Sequence, residues 1–126
     1  IALSLHDRPE DLEYLNEKVE RLVEDILSKD SDAVIILQAD HGSAFHEDNW
    51  EQPGVKFTKE RSKIFSAILI NEKGKKQLYP NFTSVNTFRV VFNSLFQENF
   101  ELLGDRTYFS SYEKPFNFRN VTKTFE

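Results

Sequence analysis

The stretch Ala33-Val34-Ile35-Ile36-Leu37-Gln38-Ala39-Asp40-His41-Gly42 decides the reading of this chain. Its first half is short, apolar and rich in β-branched residues, which predicts a strand buried on both faces, as in a parallel sheet. Its second half ends the strand with a carboxylate, an imidazole and a glycine. In open α/β sheets, ligands bind beyond the carboxyl ends of the strands, and Asp40 and His41 fall there. Aspartate and histidine are good ligands for zinc or manganese, and Gly42 lets the backbone turn without a Cβ clash. The plainer alternative is an Asp-His-Gly turn that only ends the strand.

Upstream, residues 9–28 carry Leu12, Leu15, Val19, Leu22, Val23, Ile26 and Leu27 at spacings of three and four, which predicts an amphipathic helix. Asp7 and Glu10 resemble a capping pair, and Pro9 suits a first turn. The polar break at 28–32 then leads into the strand, giving the αβ half of an α/β unit.

Downstream, residues 40–59 read as a long polar loop holding His46, Glu47, Asp48, Trp50 and Glu51. A loop of that length is functional or mobile. Residues 64–70 predict a second strand and 71–76 a turn. Ser84 is a candidate N-cap for a helix over 85–97, with Val85, Phe88, Val91, Phe92, Leu95 and Phe96 as its apolar face. The aromatic tail from Phe100 is too irregular for a helix and suits short strands and turns.

The 126 residues suit one domain, and neither an internal repeat nor a low-complexity segment is present. A net charge of −5 and the lack of a basic patch with interleaved aromatics argue against nucleic-acid binding. Without cysteine there is neither a disulfide nor a thiolate ligand. No apolar run approaches the ~20 residues that span a bilayer. The chain opens at Ile1 and contains no Met, so it reads as a piece of something longer.

The block from Val34 to Gly42 resembles the second metal-binding motif of alkaline phosphatases, sulfatases, phosphoethanolamine transferases and lipoteichoic acid synthases. The similarity extends over most of residues 12–122. It takes in Tyr14-Leu15-Asn16, Glu60-Arg61 before the second strand, Leu78-Tyr79-Pro80, Val85-Asn86-Thr87-Phe88-Arg89, Phe92-Asn93, Leu103, Asp105, Tyr108 and Phe116 to Val121. The last pieces look like the closing region of the membrane-associated, sulfatase-like subgroup. This resemblance implies a C-terminal fragment of a catalytic domain. The expected fold is α/β, a mostly parallel sheet with flanking helices, as part of an alkaline phosphatase/sulfatase-like sandwich.

By the same resemblance Asp40 and His41 are ligands of a divalent metal: Zn, Mn, Mg or Ca. The substrate is an ester of phosphate or sulfate. The nucleophile and further ligands come from the missing N-terminal part of the same catalytic domain, and the fragment alone is inactive. The parent is membrane-associated, with its catalytic domain outside the cytoplasm. One departure stands out. Many members carry a further histidine ligand downstream of the Asp-His pair, whereas here only His46 follows, five residues on. That points to the transferase-like subgroup, a one-metal site or an inactive relative.

His46 is a candidate for the substrate mouth, with an ordinary surface loop as the alternative. His6 matches poorly in spacing a substrate-contacting histidine of the family. Glu60-Arg61 and Arg89 read as structural. Asn81-Phe82-Thr83 and Asn120-Val121-Thr122 fit the N-glycosylation sequon. Two rivals to the enzyme reading are a non-catalytic binding module and a degenerate superfamily member without metal.

Overall fold

The computed structural model describes residues 9–44 and 54–125. Helix α1 (Pro9–Lys29) follows the predicted periodicity closely. Strand β1 (Ile35–Gln38) comes next, then helix α2 (Val55–Ser62) and strand β2 (Ser66–Leu69). A single-turn helix α3 (Glu72–Lys75) leads to a 3₁₀ turn at Ser84–Asn86, which runs into helix α4 (Thr87–Leu95). The tail forms β3 (Tyr108–Phe109), β4 (Arg119–Asn120) and a 3₁₀ turn at Thr122–Phe125.

The expected α/β fold with a mostly parallel sheet and flanking helices is not what the chain adopts. Among the described residues there are two sheets of two strands each, and both are antiparallel. β1 pairs with β2 in the register Ile35↔Leu69, Ile36↔Ile68, Leu37↔Ala67 and Gln38↔Ser66. The physical reason lies in the connection. A parallel pair needs a crossover that carries the chain back across the sheet. Here α2 sits by the turn that ends β1, and the chain re-enters beside its own strand in the opposite sense. An apolar run carries no information about strand direction.

Burial differs in the same way. One face of the β1–β2 ribbon, with Val34, Ile36, Ile68 and Ile70, packs on Val90 and Val91 of α4, joined by Leu78, Phe82 and Leu102. This is the period-two pattern of a half-buried ribbon. The other face is less covered: Leu69, Phe65 and Ala67 are exposed, and Ile35 and Leu37 opposite them are half-buried. No residue of β1 is fully buried, on either face. On α1 the apolar stripe forms, yet Leu12, Leu15 and Leu22 remain exposed.

Helix α4 presents a second difference. Of the predicted apolar face only Val91 is buried; Val85, Phe88, Phe92, Leu95 and Phe96 are exposed. The buried side instead carries Thr87, Val90, Asn93 and Ser94, with Asn86 just before the helix. Asn86 accepts from Leu103 N–H at 2.8 Å and donates to Leu103 O at 2.8 Å. Two turns on, Asn93 does the same to Phe100, at 2.7 and 2.8 Å. A side-chain amide holds both a donor and an acceptor, so it can satisfy both backbone groups of one residue, as a neighbouring strand would. Arg89 adds a bond to Glu101 O at 3.0 Å. The tail is thus fastened along the polar side of α4.

Candidate metal site

Asp40 and His41 stand in the turn that leaves β1, and the geometry there is built from α2. Gly42 N–H donates to Arg61 O at 2.7 Å, and Arg61 Nη1 donates to Gly42 O at 2.9 Å. Ser43 Oγ donates to Glu60 Oε1 at 2.6 Å. The close approach requires glycine: a Cβ at position 42 would run into Glu60 O and lie 2.7 Å from Lys63 O, both backbone atoms. The last turn of α2 is therefore docked on residues 42 and 43, immediately after the Asp-His pair. Ala39 N–H donates to Phe65 O at 2.9 Å and carries the ribbon's pairing up to the turn.

Within the pair, His41 N–H donates to Asp40 Oδ1 at 3.0 Å, and His41 Nε2 lies 3.3 Å from Asp40 Oδ2. The Asp40 side chain is 76% exposed and that of His41 29%. The Nδ1 edge of the ring faces two groups, Gly42 O at 2.8 Å and Arg61 Nη1. One is an acceptor and the other a donor. A neutral ring protonated on Nδ1 donates to Gly42 O and leaves the Nε2 lone pair towards Asp40. The opposite tautomer accepts from Arg61 and turns an N–H to Asp40.

The donor set suits half of a metal shell. Zinc bonds to nitrogen and oxygen of about 2.0–2.1 Å place neighbouring tetrahedral ligands about 3.4 Å apart, and the Nε2–Oδ2 separation of 3.3 Å matches. A ligating histidine typically donates its other N–H to a carbonyl, which is the role available to Gly42 O. No group of three or more His, Cys, Asp or Glu side chains suited to a metal occurs among the described residues. His46, Glu47, Asp48 and Glu51 lie outside the described residues, as does His6.

A second polar centre, which the sequence reading had not picked out as a site, gathers on Asp105. Its Oδ1 accepts from Thr83 N–H at 2.9 Å, from the Thr83 hydroxyl and, at 3.4 Å, from Asn86 Nδ2; Oδ2 accepts from Tyr79 Oη at 2.5 Å. Partial burial pushes the Asp105 carboxyl up, but the bonds from Thr83, Tyr79 and Asn86 together outweigh it and hold the group below its ordinary value. Tyr79 is pushed up, first by its hydrogen bond to Asp105, then by burial. Its hydroxyl also accepts from Asn86 Nδ2 at 3.1 Å. With its lone pairs so engaged, Asp105 is a fastening and not an open ligand. Residues from 79 to 105 meet here only through the fold, so no local spacing announces the centre.

Comparison with protein-family models, with curated proteins and with solved structures finds no match.

Proposed function

We propose that this chain contributes Asp40 and His41 as ligands of a divalent metal in an enzyme that hydrolyses or transfers a phosphate or sulfate ester. The observation that supports it most is the pair itself, an exposed Asp40 beside a half-buried His41: two donors of the right chemistry, 3.3 Å apart, on a turn secured from behind. The resemblance of the Val34–Gly42 block to the alkaline phosphatase/sulfatase superfamily supplies the reaction class. The divalent ion would polarise an ester oxygen and ease ionisation of a nucleophile.

Asp40 brings one negative charge and His41 none, so a dication held by both keeps net positive charge to offer an anionic ester. Gly42 O orients the imidazole through Nδ1. Arg61, Glu60 and the absence of a side chain at 42 hold the turn in place. Two donors leave a tetrahedral ion incomplete, so further ligands and the nucleophile come from outside the described residues. With the nucleophile placed, by the resemblance, on an earlier part of the protein, the chain alone turns over no substrate.

The test is turnover of an aryl phosphate and an aryl sulfate by the intact parent protein, stripped with chelator and reloaded with Zn, Mn, Mg or Ca. Loss of activity in chelator, recovery with one of the ions, and a loss of at least a hundredfold in Asp40→Ala and His41→Ala are expected. Equal turnover in chelator would sink the metal mechanism.

One observation favours a second reading, that of an interaction module. Phe88, Phe92, Phe96 and Phe100 form an exposed ridge, with ring centroids 6.2, 5.9 and 6.0 Å apart along Phe88–Phe92, Phe92–Phe96 and Phe92–Phe100. Exposed apolar patches of this kind mark surfaces that another body covers. Activity surviving in both ligand variants would favour it.

A further inference from the structure

We propose that the loop joining β3 to β4 is a membrane-docking element whose aromatic rings enter the head-group region of a bilayer carrying anionic lipid. The proposal makes no use of the metal-binding reading of Asp40 and His41.

Strands β3 and β4 pair in the register Tyr108↔Asn120 and Phe109↔Arg119, which leaves residues 110–118 as the loop of a hairpin. The loop is shaped by its own backbone. Lys114 N–H donates to Ser111 Oγ at 3.2 Å, and Asn117 N–H donates to Lys114 O at 3.0 Å. Pro115 stands between them with its φ fixed by its ring. Loops are normally polar. This one carries Tyr112, Phe116 and Phe118 at 90%, 88% and 63% exposure, and the first two are the most exposed large apolar side chains among the described residues. An aromatic ring contributes to stability by leaving water, so rings held out in this way do little for the fold.

Charge sets the hairpin apart as well. From Arg106 to Phe125 the chain carries Arg106, Lys114, Arg119 and Lys123 against Glu113 alone, a net charge of +3. The whole chain stands at −5, so all other residues together stand at −8. Lys114 lies within the loop, and Arg119 beside it in β4 stacks over the Phe109 ring, 5.0 Å from its centroid. Arg106 and Lys123 flank the base, where Thr107 N–H donates to Thr122 Oγ1 at 2.9 Å. Apolar rings thus occupy the loop, with cations in it and behind it. An anionic bilayer answers both features. Its interface takes up aromatic rings, and its surface potential attracts each nearby lysine or arginine. Four cations spread over residues 106–123 are too sparse to follow a phosphate backbone. The ridge of Phe88, Phe92, Phe96 and Phe100 lacks the charge for the same surface, since Arg89 there is outnumbered by Glu98 and Glu101.

The experiment uses the full chain and vesicles of phosphatidylglycerol and phosphatidylcholine in equal parts, with pure phosphatidylcholine as the comparison. Partition is measured by co-sedimentation for wild type, Phe116→Ser with Phe118→Ser, Lys114→Glu, and Phe88→Ser with Phe92→Ser, with thermal unfolding of each alongside. Wild type should bind the mixed vesicles at least fivefold more tightly than the neutral ones, and added salt should weaken binding. The Phe116/Phe118 pair and Lys114→Glu should each lose fivefold or more, while the Phe88/Phe92 pair should bind as wild type does. The altered loop positions are exposed, so these proteins should unfold within a few degrees of wild type. Phe116→Trp, made in a Trp50→Phe background, should shift its emission to the blue when anionic vesicles are added. If a serine variant unfolds early, that shift still decides whether position 116 enters the bilayer. An unchanged emission at position 116, no binding to the mixed vesicles, or equal binding by the Phe116/Phe118 pair overturns the proposal. Self-association that this pair abolishes, with vesicles left unbound, overturns it in favour of a second copy of the chain. Preference for a single-stranded oligonucleotide over the vesicles overturns it in favour of nucleic acid.

Discussion

Asp40 and Asp105 both lie outside the helices and strands, and they have opposite surroundings. Asp105 accepts from Thr83, Tyr79 and Asn86, and those bonds draw residues 79–86 and the tail together. Asp40 is three-quarters exposed and, among the described residues, its contacts are local, to the backbone and ring of His41. A carboxylate whose lone pairs are filled by protein donors stabilises a fold; one left towards solvent beside an imidazole remains available to a ligand. The difference separates structure from function within one residue type, and it can be broken by substitution.

The largest contrast should come from removing each carboxylate. Asp105→Ala strands several donors in a half-buried place and should lower the unfolding free energy by about 3 kcal/mol. Asp40→Ala should change it by less than about 0.5 kcal/mol, as expected for an exposed side chain. Urea denaturation measures both, and equal costs would erase the distinction. Next in size is Gly42→Ala. The new methyl meets the carbonyls of Glu60 and Lys63, so the turn must move, at about 2 kcal/mol or more. Zinc affinity should fall in the same variant, since the turn carries both ligands.

Acid should sharpen the comparison further. Asp105 is held below its ordinary value when folded. Its stabilisation is therefore fully present above the unfolded carboxyl value, about 3.9, and is lost as pH falls through the lower folded value. Tyr79 has the opposite sign: its contribution is present below about 10 and is lost as pH rises through the raised folded value. Stability followed against pH should flatten at the acid end in Asp105→Asn and at the alkaline end in Tyr79→Phe.

The smallest effect concerns the end of α4. Gln97 follows the helix with φ of 58°, in the left-handed region that glycine occupies without a Cβ penalty. Gln97→Gly should stabilise the protein by up to about 1 kcal/mol, measured in the same urea titration. No change would mean that the glycine's added freedom in the unfolded chain cancels the relief.

Much of the local structure was legible in the sequence, and the arrangement was not. The α1 stripe, two strands and the Asp-His turn could be read because hydrophobic period and strand-end chemistry are local signals. The sense of β1 against β2 depends on where α2 packs, and α2 itself was hidden in what looked like a loop: its sequence, Val55–Ser62, has little apolar periodicity. The apolar positions of α4 suggest a buried face, yet the buried side carries Asn93, with Asn86 just before the helix, because the tail's backbone needs a donor and an acceptor together, which an amide provides. Its phenylalanines are turned outward in consequence. At the site, Asp40 and His41 were identifiable from residue type and position. Arg61 was recognised as structural but not as their clamp, since the contact joins residues nineteen and twenty positions apart. That Gly42 admits a close approach, beyond a sharp turn, also becomes clear only when Glu60 and Lys63 lie against it.

The central claim, that the Asp40–His41 pair holds a divalent ion, is tested most directly by zinc competition on the metal-stripped parent protein. Wild type should bind zinc, and Asp40→Ala and His41→Ala should each weaken binding at least tenfold, with unfolding curves that overlay wild type before metal is added. Zinc binding that is the same in all three proteins would contradict the claim and leave the pair as a turn at the end of a strand.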